Sequence, residues 1–176
     1  MLFSDRSLWT MAHGIVLGGG ALMGLAAALF ALCAAEPSEA PDGGVHASRA
    51  FAALNVSTAV LLWLTVIVGT YVVFPPYRAT PPAGLTDLSQ FPRSLVLASP
   101  DTAWLHAFAM ETKEHAPWIA AMLSTAVAFI GVRHRSRLWN DPPLRRVTAA
   151  FVAITFVLVA YASLLGIFVN KVAPLQ

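Results

Sequence analysis

The chain has 176 residues, of which 57% are hydrophobic and 11% charged, and its formal net charge is +2. A soluble domain carries roughly 25% charged residues. This chain therefore has too little polar surface to stand free in water, and too small a net charge for a nucleic-acid surface. The single cysteine, Cys33, excludes an internal disulfide, a four-cysteine zinc site and an iron–sulfur cluster held by this chain alone.

In chain order, Ser7–Ala35 holds no Asp, Glu, Lys or Arg. A membrane-spanning helix needs about 20 apolar residues, within a range of roughly 17–25. The segment predicts a first such helix near 11–35. It is too long for a removed leader, and Asp5 beside Arg6 is not the basic start such leaders have. His13 heads a stripe of Leu17, Gly20, Gly24, Ala27 and Ala31. Gly20 and Gly24 at this spacing let another helix approach closely, or clear room for a flat cofactor. Cys33 reads as a small buried apolar residue.

The stretch from Glu36 to Gly44 is acidic and rich in Pro and Gly, which predicts a turn. A second charge-free run, Ala50–Tyr77, predicts a helix near 51–75 that stops at Pro75-Pro76. Tyr71, Tyr77 and Arg78 at that end suit a lipid headgroup zone. The long 76–103 connection carries Pro81, Pro82, Pro92 and Pro100, and its 91–98 part predicts a short surface helix. Ser99-Pro100-Asp101 then marks a helix start, with the Asp101 carboxylate expected to bond first-turn N–H groups.

The third helix, near 104–132, opens on the richest stretch of the chain. His106, Glu111, Lys113, Glu114 and His115 lie just before the charge-free Ala116–Val132. Ionisable groups at a membrane boundary are expensive to keep and carry a functional hypothesis by default. Glu111 and His115 are four residues apart and share a helix face, so the carboxylate is expected to orient the ring. Lys113 and Glu114 read as boundary residues that snorkel outward. Arg133, Arg135, Arg137, Arg145 and Arg146 flank Asn140-Asp141-Pro142-Pro143, a tight turn on the cytoplasmic side. Val147–Asn170 predicts the fourth helix, near 147–170.

The fold expected is an all-α integral membrane protein, an up-down four-helix transmembrane bundle forming one domain over 1–176. It would be multi-pass, with the lipid bilayer as its first partner and 76–103 as a long outer loop. The bacterial cytoplasmic membrane is the location expected. Its size and lack of polar surface suit a subunit among other membrane or extracytoplasmic redox subunits, with no nucleic-acid partner.

Alternation of the helices groups His13, His106 and His115 at the outer end, and His46 and His134 at the inner end. Two imidazoles on facing helices are how a bundle holds haem b. His13 and His115 are the expected axial pair, with His106 as alternate and His46 with His134 as a weaker second site. Gly20 and Gly24 would border the macrocycle, and Glu111 would take up protons beside a quinone. The layout is similar in kind to small membrane cytochromes b, although no helix here carries two suitably spaced ligands. The function expected is electron transfer between quinol and a partner at the extracytoplasmic face, which would make the chain an oxidoreductase subunit. Two alternatives stay open: a non-redox structural or anchoring subunit, and a metal-binding protein centred on His106, Glu111 and His115. The middles of the second and fourth helices lack ionisable groups other than tyrosine, which speaks against a transmembrane proton relay.

Overall fold

The computed structural model describes residues 4–34 and 43–174, so the expected turn between Glu36 and Gly44 lies almost wholly outside the described residues. Four helices are long and apolar enough to cross a membrane. The first, α1, runs Asp5–Ala34. The second, α2, covers Gly43–Val68 and continues through Gly69–Val73 to a last turn at Phe74–Arg78. A short helix α3, Pro92–Leu97, precedes the long α4, Pro100–Arg133. The four-residue α5, Arg135–Leu138, leads to α6, Pro142–Val172. No strand occurs among the described residues.

Each long helix exceeds the span its charge-free run predicts, for local reasons. Helix α2 passes Pro75 and Pro76 instead of stopping there. A proline lacks the N–H and crowds the carbonyl one turn earlier. Here Gly69–Val73 widens into a π turn, with Phe74 N–H bonding the Gly69 carbonyl. The prolines then occupy the first positions of the final turn, where the missing N–H matters least. Helix α6 likewise begins at Pro142, because the Asp141 side chain accepts from the Leu144 N–H at 3.1 Å. At the start of α4 the cap is Ser99, whose Oγ accepts from the Asp101 N–H, rather than the Asp101 carboxylate.

Contacts run α1 to α2, α2 to α4, α4 to α6 and α6 back to α1, which closes a ring of four helices. The larger core joins Leu25, Leu32, Leu62, Val127, Leu138 and Val152. A smaller core at one end joins Tyr77, Val96, Leu105, Met110, Leu165 and Val169, and so ties α3 onto the long helices. Gly24 faces α2 so closely that a Cβ there would collide with the Thr58 side chain, while a Cβ at Gly20 would only touch Leu61 at 3.4 Å. The glycine stripe is therefore spent on packing against α2 at both positions.

The buried polar residues of the middle are satisfied within their own helices. Asn55 bonds the Phe51 carbonyl at 2.8 Å, Thr58 that of Leu54 at 2.8 Å, and Thr155 that of Phe151 at 2.7 Å. These local bonds let short polar side chains sit in an apolar interior without a partner helix. Cys33, expected to be buried, is exposed.

Candidate functional site

Three of the four long helices carry a π segment: Ala12–Gly18 in α1, Gly69–Val73 in α2 and Leu105–Met110 in α4. Such wide turns cost hydrogen-bond geometry and gather at functional sites. All three lie at one end of the molecule, because His13 of the first packs against Gly69 of the second, and the third joins the small core with Tyr77 and Val169.

His13 is wedged between α1 and α2. A Cβ on Gly69 would lie 2.7 Å from its Cε1, so only glycine leaves room for the ring. The imidazole bonds the Thr65 backbone. Its Nδ1 is buried and has no hydrogen-bond partner. Leaving a buried polar atom unpaired costs about 1–3 kcal/mol, a cost that structural packing alone gives no reason to bear.

Lys113 mirrors this arrangement between α4 and α6. Its Nζ lies 2.7 Å from where a Gly166 Cβ would sit. The side chain thus turns in toward the neighbouring helix, and the expectation that it snorkels outward is corrected. Gly166 opens the space it enters. Pro117 removes the N–H that would have bonded the Lys113 carbonyl. Among the described residues the ion pair is Arg137–Asp141, at 2.8 Å, and no carboxylate pairs with Lys113. The ammonium is within electrostatic reach of the His13 ring. An unpartnered imidazole nitrogen and an ammonium without an ion-pair partner among the described residues therefore share this end of the bundle, one entering from the α1–α2 side and one from the α4–α6 side.

Beside them stands a second group. Tyr77 Oη and His106 Nδ1 are 3.1 Å apart, and Tyr77 is only 5% exposed. Phe74 stacks on Tyr77 and Arg78 lies over the Phe74 ring. Arg93 of α3 and Glu114 of α4 both act electrostatically on the Tyr77 hydroxyl, and Arg93 Nε is buried without a partner.

The remaining sequence candidates lie elsewhere. His115 is exposed, and its Nδ1 is 2.8 Å from the Glu111 backbone oxygen, so the carbonyl and not the carboxylate orients the ring. Glu111 is exposed. His46 is exposed near the start of α2, and His134 sits edge-on to Phe129 where α4 ends. Among the described residues no three of His, Cys, Asp and Glu gather as a metal-binding group. Haem b needs imidazoles converging on one iron; His13 is wedged against Gly69 and His115 is exposed with its Nδ1 on the Glu111 carbonyl.

No family model, no curated protein and no solved structure matches the chain.

Sequence reasoning singled out His13 and His106, read Lys113 as a boundary residue, and missed Tyr77 as the partner of His106. It also missed Gly69 and Gly166. The signal for the glycines was present, since an isolated glycine inside an apolar helix marks a close approach. Nothing in the sequence says what approaches.

Proposed function

We propose that the chain is a multi-pass integral membrane protein, an up-down four-helix bundle, that binds the headgroup of a membrane-soluble quinol or quinone at its His13 end. It serves as a subunit of an electron-transfer complex and hands electrons to a redox partner. The observation that carries this reading is the buried, unpartnered His13 Nδ1 together with the inward-turned Lys113 ammonium, which has no ion-pair partner among the described residues. An anchoring subunit has no use for an unpaired ammonium among its helices, and such groups mark function in membrane proteins. With one ring N–H donated to the Thr65 backbone, His13 Nδ1 is left as an acceptor for a quinol O–H, while the Lys113 ammonium donates to a quinol or quinone oxygen.

A bound quinol supplies two electrons and two protons when it is oxidised. On this chain, Lys113 and His13 bind and orient the headgroup oxygens. The Tyr77–His106 hydrogen bond provides a hydroxyl and an imidazole that exchange protons without large movement. Glu114, which acts on the same hydroxyl, continues that chain of groups.

A photoreactive quinone analogue tests the assignment on the purified full chain. Labelling is expected in peptides carrying His13, Gly69, Lys113 or Gly166, and an excess of unmodified quinone should suppress it. Labelling spread evenly over the lipid-facing surface would overturn the reading and leave the anchoring alternative. A b-type haem band in the reduced-minus-oxidised spectrum, lost in both His13→Ala and His115→Ala, would restore the haem reading instead.

A further inference from the structure

A cleft of about 270 Å³ opens between the first turns of α4 and the last turns of α6. Its floor is apolar: Leu105 is buried, Val172 is half-buried, and Trp104 and Phe168 are 50% and 44% exposed. Its rim carries one charge of each sign, Asp101 on α4 and Lys171 on α6. Both are exposed, and neither belongs to an ion pair among the described residues. An apolar trough with a divided, unpaired rim matches an amphiphile whose own headgroup carries both charges.

We propose that this cleft is a binding site for a phospholipid with a zwitterionic phosphoethanolamine headgroup. The inference rests on the membrane-spanning reading of the helices but not on the quinone assignment. The chemistry divides cleanly along the cleft. Lys171 takes the phosphodiester as a point charge. Asp101 accepts from the headgroup ammonium, and the neighbouring Trp104 ring gives that cation a second favourable surface. An acyl chain lies along Leu105, Phe168 and Val172, burying apolar area that is otherwise half open. Tryptophan is at home at this depth, where one face is apolar and the other wet. An anionic glycerol headgroup finds the same Lys171 but meets the Asp101 carboxylate as a like charge.

The test uses the full chain in detergent, titrated separately with short-chain phosphatidylethanolamine and phosphatidylglycerol. Binding is read by native mass spectrometry, with circular dichroism confirming that each variant stays helical. The wild type should bind the ethanolamine lipid about threefold to fivefold more tightly than the glycerol lipid, the ratio expected of one exposed charge contact. Asp101→Asn should erase that preference by strengthening the glycerol lipid relative to the ethanolamine lipid. Lys171→Gln should weaken both. Equal affinities in the wild type, or a preference that survives in Asp101→Asn, would overturn the proposal.

Discussion

Lys113 and Gly166, more than fifty positions apart, fit together so that a Cβ on the glycine would sit 2.7 Å from the ammonium nitrogen. His13 and Gly69 repeat the pattern on the other side of the bundle, also at 2.7 Å. The two glycines differ in what they protect, because one faces the tip of a flexible chain and the other a wedged ring.

Gly69→Ala should therefore destabilise the protein by about 1–3 kcal/mol, the usual range for overpacking an interior. The ring of His13 has no slack, since its flank meets Gly69 and it bonds the Thr65 backbone. Thermal melting in detergent reads the change. His13→Ala combined with Gly69→Ala should melt higher than the sum of the single effects predicts, as expected of two residues in direct contact.

Gly166→Ala should be close to neutral in the same assay. The Lys113 tip can swing away, and alanine gains about 1 kcal/mol of helix propensity over glycine. Its effect should fall on the ligand instead, through displacement of Nζ.

Along α1 the two glycines of the stripe should behave differently. Gly24→Val drives a branched side chain into Thr58 and should lower stability by about 1–3 kcal/mol. Gly20→Ala places a methyl at ordinary contact distance from Leu61 and should leave melting unchanged within about 0.5 kcal/mol.

Most of the fold was legible because bilayer-length runs without charge admit almost no other structure. What stayed hidden depends on neighbours the sequence does not place side by side. Pro75-Pro76 looked like a stop, and the helix passes it because Gly69–Val73 widens first. Lys113 looked like a boundary residue, and it turns inward because Gly166 leaves it a notch. Glu111 and His115 do share a helix stretch and do interact, but a backbone carbonyl outcompetes the carboxylate for the ring. The Tyr77–His106 pair joins residues from two helices separated by a proline-rich connection, with no motif to announce it.

Tyr77→Phe removes that bond while keeping the stacked ring against Phe74. A stability loss of about 0.5–1.5 kcal/mol is expected, the usual net worth of one hydrogen bond. Quinol oxidation by the assembled complex should slow, while quinone affinity stays within about twofold, because Tyr77 is assigned to proton exchange and not to headgroup binding.

Asp141 sets an acid limit at the opposite end. The Leu144 N–H, and then Arg137, hold its carboxyl below the usual carboxylate range. A group depressed on folding stabilises above its unfolded value, near pH 4, and loses that contribution as pH falls through the folded one. Asp141→Ala should thus melt lower than wild type at pH 7, and the gap should close as the pH drops below about 4. A gap that stays constant with pH would show that the ionised cap contributes nothing.

The most direct measurement is equilibrium binding of a short-chain quinone analogue to the wild type and to Lys113→Met, with melting recorded on the same samples. Replacing an unpaired interior ammonium by an apolar chain of similar length is expected to hold or raise stability. If Lys113 holds the headgroup, the variant should melt at or above wild type and bind the analogue at least tenfold more weakly, a loss of about 1.4 kcal/mol. Unchanged affinity in Lys113→Met, or no saturable binding by the wild type, would contradict the account.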